Sequence, residues 1–146
     1  MSTKTSTKSE QLLKSWMALS GVLRNERLVT GFTFREISIC EFIYKADKDS
    51  IVTPSDITEY TGMLKSQTHK VLSDLEAKGY ITREKNPDDR RQTILKLTDE
   101  GKKSYLKEHK EVIKLLDRVT VGMSDAKVKN LCQGINEITA SLRSII

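Results

Sequence analysis

Very little in this sequence suits a membrane span, a disulfide framework or a metal cage. Two cysteines, Cys40 and Cys132, make no closely spaced pairs and no Cys-x-x-Cys pattern in a chain of 146 residues, which excludes a disulfide scaffold and fits a reducing compartment. No run of about 18 apolar residues occurs. The start Met-Ser-Thr-Lys-Thr-Ser-Thr-Lys is polar, with no apolar segment behind its lysines, so neither an ordinary export signal nor a membrane partner is expected, and the chain is expected in the cytoplasm. Aromatic residues are scarce, at 5% against 37% hydrophobic and 31% charged, so the core should be aliphatic and helical in character. With two histidines, no Gly-rich phosphate loop, no Ser/His/Asp order and no paired catalytic carboxylates, the residues suggest neither an enzyme nor a cofactor.

What is present is positive charge and helical periodicity. The 25 Lys and Arg exceed the 20 Asp and Glu to leave a net +5, a bias toward a polyanionic partner. Leu12, Trp16, Leu19 and Leu23 recur at steps of four, three and four and predict a first helix over roughly 9–29. Thr33 and Glu36 have the spacing of a capping box before a second helix, roughly 34–47. A polar turn from Asp47 to Ser50 and a bridging stretch at Ile51-Val52 follow. Thr53-Pro54 opens a short third helix that ends near Gly62. In the next helix, from Leu64 to Lys78, Val71, Leu72 and Leu75 share one face, and Ser66, His69, Lys70 and Ser73 share the other, with Gly79 as a left-handed stop. Tyr80 to Lys85 and Gln92 to Leu97 read as strands flanking the turn Asn-Pro-Asp-Asp-Arg-Arg. Thr98-Asp-Glu starts a long helix to about Val119, and Ser124-Asp125 starts the last one.

Two short helices followed by a hairpin with a basic tip make the winged form of helix-turn-helix, and the fold class is mainly α with a small β-wing. The second of these helices is narrow enough for a major groove, and its Lys65 to Lys70 face offers groups that donate to phosphates or base edges. Residues 61–110 hold 12 basic and 8 acidic side chains, a net +4 of the chain's +5. A domain plan follows: a flexible start over about 1–8, packing and dimerisation helices over about 9–49, the winged region over about 50–98, and dimerisation helices over about 99–146.

The runs Thr53-Pro-Ser-Asp-Ile-Thr-Glu-Tyr-Thr-Gly, Lys65-Ser-Gln-Thr-His-Lys-Val-Leu-Ser-Asp-Leu-Glu-Ala-Lys-Gly-Tyr-Ile and Asp88-Asp-Arg-Arg-Gln-Thr-Ile-Leu-Lys-Leu-Thr-Asp-Glu-Gly resemble the MarR family of bacterial transcriptional regulators. The Asp-x-Arg wing with its downstream Leu-Thr-x-x-Gly is the specific part. The resemblance implies a homodimer bound to double-stranded DNA, with recognition helices in successive major grooves and wings in flanking minor grooves. It places Arg91 in the minor groove, Asp89 as the carboxylate orienting the Arg91 guanidinium, and Arg90 near phosphate at the wing tip. A planar, weakly hydrated guanidinium suits a narrow electronegative groove. Lys65, Ser66, Gln67, His69 and Lys70 match the DNA-facing positions. The chain departs from the pattern at Leu64, His69 and Lys70, where the family often has Asp, Thr and Arg, so its operator should be its own; His69 is open to reading a base, touching phosphate or facing solvent.

On the last helix Val128, Leu131, Ile135, Ile138, Leu142 and Ile145 keep an unbroken three-four alternation that calls for a partner helix. Tyr105, His109, Val112, Leu116 and Val119 repeat it on the long helix, and Leu12, Leu19 and Leu23 on the first. An obligate homodimer made by both chain ends is expected over intramolecular packing of those helices. The resemblance further implies repression relieved by a small effector, whose site is unknown; Trp16, Phe42 and Tyr44 are candidate lining residues by analogy. The reactive cysteine of peroxide-sensing members has no counterpart early in the first helix, and Cys40 and Cys132 are expected to be structural thiols. Two alternatives remain. A zinc-responsive regulator would use Cys40, Glu41, Glu108 and His109, although no metal is assigned. A protein-binding winged helix would show hydrophobics where Lys65, Gln67, Lys70, Arg90 and Arg91 stand.

Overall fold

Helices form where apolar residues recur every three or four positions and a nearby group can satisfy the first backbone donors. In the computed structural model, which describes residues 7–25, 31–46 and 48–146, the first helix α1 is Lys8–Asn25. Its expected continuation over 26–29, the polar start 1–6 and Asp47 of the expected turn lie outside the described residues. Helix α2 (Phe34–Lys45) opens on the expected box: the Thr33 N–H donates to Glu36 Oε2 at 2.9 Å and the Glu36 N–H to Thr33 Oγ1 at 3.2 Å. Helix α3 (Pro54–Thr61) repeats the device with Thr53 and Asp56 and stops at Gly62, whose φ of 69° only glycine adopts freely.

Helix α4 is Lys65–Ala77, after which Gly79, at φ 75°, turns the chain so that the Tyr80 N–H donates to the Leu75 carbonyl at 3.0 Å. Strands β1 (Ile81–Lys85) and β2 (Thr93–Leu97) pair antiparallel, Ile81 opposite Leu97 and Lys85 opposite Thr93. The expected bridging stretch before α3 reduces to one bond, from the Leu95 N–H to the Val52 carbonyl at 2.8 Å, and forms no strand. Helices α5 (Asp99–Thr120) and α6 (Asp125–Ile145) complete the order, the latter capped by Ser124 Oγ accepting from the Lys127 N–H at 3.2 Å. Among the described residues no helix is long and apolar enough to cross a membrane.

The chain divides into two units, 1–110 and 111–146, and the division falls inside α5. In the first unit Phe32, Ile39, Cys40, Val52, Ile57, Leu72, Leu75, Ile81, Leu95 and Tyr105 form one core. Each fully buried Leu or Ile there contributes about 1.5–3 kcal/mol. Tyr105 corrects an expectation: it belongs to this core, 1% exposed and 5.3 Å from the Tyr44 ring, not to an intersubunit seam. Its register on α5 follows from Gly101, whose Cα lies so close to the Tyr80 carbonyl that a Cβ would overlap it. Thr98 holds the junction, its N–H donating to the Tyr80 carbonyl at 3.0 Å and its hydroxyl to the Gly79 carbonyl at 2.6 Å while accepting from the Gly101 N–H at 2.9 Å. The Leu-Thr-x-x-Gly run is thus a staple from wing to helix.

In the second unit α6 buries none of its residues, and Leu131, Ile135 and Ile145 are exposed, as are Leu116 and Val119 at the end of α5. Cys132, expected as a buried thiol beside the seam, is also exposed on the single chain, whereas Cys40 is buried as expected.

Candidate nucleic-acid interface

Helix α4 is held to the core by Thr68, Leu72 and Leu75, while Val71, expected in the apolar stripe, is half-buried. Thr68 was not singled out by the sequence, because a threonine at one end of an apolar stripe reads as surface. Its hydroxyl donates to the Leu64 carbonyl at 3.3 Å and lies 2.9 Å from that of Thr58, a polar contact that sets α3 against α4. Lys65, Ser66, His69 and Lys70 are exposed on the opposite face, where the sequence places them. Gln67 differs. Leu64 has no side-chain acceptor for the first turn of α4, and Gln67 Oε1 instead accepts from the Leu64 N–H at 3.1 Å, so Gln67 is half-buried and serves as a cap in the unbound chain.

The wing loop is built by its own backbone and two amides. The Asn86 N–H donates to the Gln92 carbonyl at 2.9 Å, and Asn86 Nδ2 to Gln92 Oε1 at 2.6 Å. Asn86 Oδ1 in turn accepts from the Asp88 N–H at 3.0 Å. Asp89 Oδ1 accepts from the Arg91 backbone N–H at 3.0 Å, and among the described residues Asp89 and Arg91 form no ion pair. In the unbound chain the Asp89 carboxylate thus holds the Arg91 backbone and not its guanidinium, because a short carboxylate reaches a backbone donor two residues on more easily than the end of a long side chain. Arg90 and Arg91 are left exposed at the tip.

Helix-turn-helix and wing enclose a cleft of about 720 Å³. Lys65 and His69 line it from α4, Asp89, Arg91, Gln92 and Thr93 from the wing, and Thr53, Pro54, Ser55, Thr58 and Glu59 from the start of α3. Four of the expected DNA-facing residues, Lys65, His69, Asp89 and Arg91, therefore converge on one space, while Ser66, Lys70 and Arg90 are exposed outside its lining. The α3 residues were missed, since Thr53, Pro54, Ser55 and Thr58 carry no charge and Glu59 carries the sign opposite to that expected for a polyanion-binding face.

A family model described as MarR family matches residues 30–92, from the approach to α2 to the end of the wing loop. Over that stretch, less than half of its 146 residues, the chain is similar to the MarR family. It is 25% identical over 95 residues to the uncharacterized HTH-type transcriptional regulator YdgJ of Bacillus subtilis, covering 65% of this chain and 56% of that protein, so the match spans little more than half of the relative's length. The PcaV transcriptional regulator of Streptomyces coelicolor, solved in complex with its natural ligand, superposes with a TM-score of 0.78 at 15% identity, over 97% of this chain and 99% of that one. The transcriptional repressor CouR, solved bound to a 23-mer DNA duplex, superposes with a TM-score of 0.75 at 21% identity, over 91% and 92%.

The sensor chemistry raised by the sequence gains little support from the geometry. The buried Cys40 thiol is pushed up to about 12, chiefly by loss of solvent and then by the Glu36 carboxylate, so it is a poor nucleophile and metal ligand near neutral pH. Among the described residues Cys40, Glu41, Glu108 and His109 do not gather into a metal-holding cluster. His109 Nδ1 lies 3.4 Å from the Tyr105 hydroxyl, whose pKa is pushed up to about 12 by burial and then by Glu41. Of the aromatic candidates for an effector pocket, Phe42 faces the Tyr60 ring at 4.7 Å, Tyr44 faces Tyr105, and Trp16 is half exposed on α1.

Proposed function

We propose that this chain is a cytoplasmic, sequence-specific regulator of transcription that binds double-stranded DNA as a homodimer, most simply as a repressor released by a small effector. The observation that carries the reading is the convergence of the exposed basic face of α4 and the wing arginine on one cleft. Lys65, Ser66, His69 and Lys70 would meet the major groove, with Gln67 joining them if it leaves its cap. Arg91 would enter the minor groove, with Arg90 on phosphate and Asp89 shaping the turn that presents them. A duplex supplies the anionic partner that this concentration of charge favours.

The homodimer is supported by apolar faces that the single chain leaves open: Leu12, Trp16 and Leu19 on α1, and Leu131, Ile135 and Ile145 on α6. A two-fold pair of such chains calls for a pseudo-palindromic site with half-sites about 10 bp apart. If the dimer neutralises roughly eight phosphates, the log-log salt slope should be near −7. The test is selection of bound sequences from random DNA by the purified full-length protein, followed by binding of Arg91→Ala to the winner. The variant should remain a folded dimer and lose operator affinity; a wild-type protein that enriches no sequence, or a slope shallower than about −2, would sink the reading. A thermal-shift screen of small ligands against the same protein addresses the effector.

A further inference from the structure

Arg83 is a cation that neither the charge pattern nor the family motif singles out. It shares the strand face of buried Ile81, two residues earlier, because side chains alternate along β1. Its guanidinium reaches the middle of α4, where one terminal nitrogen donates to Ser73 Oγ at 2.9 Å and reaches the His69 carbonyl oxygen at 3.4 Å. The Ser73 hydroxyl donates to that same carbonyl at 2.9 Å, so the three groups close a ring. Glu76 Oε2 flanks Nε at 3.8 Å, and the Arg83 side chain is 24% exposed.

We propose that Arg83 is a positioning residue for base-specific recognition, one that locks α4 to the wing through Ser73 and the His69 carbonyl. The proposal rests on reading α4 and the wing as the DNA-contacting elements. His69 and Lys70 lie on the turn whose carbonyl Arg83 holds, and β1, which carries Arg83, runs directly into the loop that bears Arg90 and Arg91. One planar fork therefore sets the angle between the helix in one groove and the hairpin in the next. Base-edge hydrogen bonds demand that angle, because two donors or acceptors must meet a fixed pattern. Phosphate contacts tolerate its loss, since long lysines follow a displaced backbone. A guanidinium facing Ser73, His69 and Glu76 is turned toward the protein rather than toward a phosphate.

Full-length wild type, Arg83→Met, Arg83→Lys and Ser73→Ala are compared on the duplex that wild type selects from random DNA and on a scrambled duplex of equal length. Arg83→Met should bind the selected duplex about ten-fold more weakly, the scale of one well-made base contact, with scrambled-duplex affinity and its salt slope unchanged. Arg83→Lys keeps the charge but lacks the fork, so its discrimination should stay near that of Arg83→Met. Ser73→Ala should reproduce part of the loss, and the double variant should be no worse than Arg83→Met. If Arg83→Met does not fold, Ser73→Ala carries the test by the same readings. Equal weakening on both duplexes with a slope shallower by about one would make Arg83 a phosphate ligand and overturn the proposal, as would unchanged discrimination. A wild-type selection that enriches nothing overturns the underlying DNA reading, and this proposal with it, before any variant is made.

Discussion

Lys78 ties the end of α4 to the start of α2, and losing its charge should cost the fold more than an ordinary surface lysine does. Its ammonium lies 2.9 Å from both Glu36 oxygens and 3.2 Å from the Gly31 carbonyl oxygen. Glu36 is 4% exposed, and its Oε2 also accepts from the Thr33 N–H. Lys78→Met keeps an apolar stem near Phe32 but leaves that carboxylate facing a single neutral donor. Stripping a wholly buried carboxylate of its partner costs about 3–5 kcal/mol, whereas an exposed pair contributes about 0–1 kcal/mol. Lys78 is 39% exposed along its side chain, so water reaches one side of the pair and the expected loss lies between these limits, at about 2 kcal/mol. At about 2–4 °C per kcal/mol for a chain of this length, Tm should fall by about 4–8 °C. Glu36→Gln removes the charge yet keeps an oxygen for the Thr33 N–H, so in the double variant about 1 kcal/mol of the summed loss should return. Thermal and urea unfolding would be compared at one protein concentration, because the Tm of a self-associating protein moves with concentration. A Lys78→Met variant within about 0.5 kcal/mol of wild type, or strict additivity in the cycle, would refute the buried-pair argument.

Gly101→Ala pushes a methyl group into the Tyr80 carbonyl at the staple between wing and α5, and overpacking of that kind should cost about 1–3 kcal/mol; a variant as stable as wild type would mean that the junction yields freely. The Cys40 thiol, near 9 when unfolded and about 12 when folded, ionises first in the unfolded chain, so its contribution to stability is complete below pH 9 and is lost as pH rises toward 12. Tyr105, raised from 10 to about 12, acts in the same direction. Cys40→Ala should therefore flatten the alkaline fall of Tm, and an unchanged pH profile would count against this assignment. A thiol reagent near neutral pH should leave Cys40 unmodified in the native protein and modify it after denaturation, whereas native labelling of Cys40 would contradict its burial.

The elements that sequence alone delivers are those whose signals are local. Thr33 with Glu36, Thr53 with Pro54, and the glycines at 62 and 79 act within a few residues, through an orphan N–H or a positive φ, and α2, α3 and the exit of α4 start and stop where those signals place them. Tyr105 was misplaced because one stripe on α5 serves two ends differently: its first turns are buried in the core of the first unit, and its last turns are left open. Periodicity finds the stripe but not what covers it. Gln67 carries the same lesson at the interface, since residue type marks it as a DNA reader while the missing cap at Leu64 engages it in the unbound chain.

Charge found the exposed half of the candidate interface, and the half it missed is what orients that charge. Lys65, Lys70, Arg90 and Arg91 stand out in composition because they are cations without a core role. Their placement depends on contacts with little or no net charge: the Thr58–Thr68 hydroxyl pair between α3 and α4, the Asn86–Gln92 amide pair across the wing, and the Ser73 hydroxyl under Arg83. Apolar packing is non-directional, whereas a hydrogen bond weakens steeply once its geometry is lost. A nonspecific polyelectrolyte binder needs only the cations. Base reading, unlike phosphate binding, needs the helix and the wing in fixed register, and these polar contacts therefore support the proposed sequence-specific binding over binding that merely coats DNA.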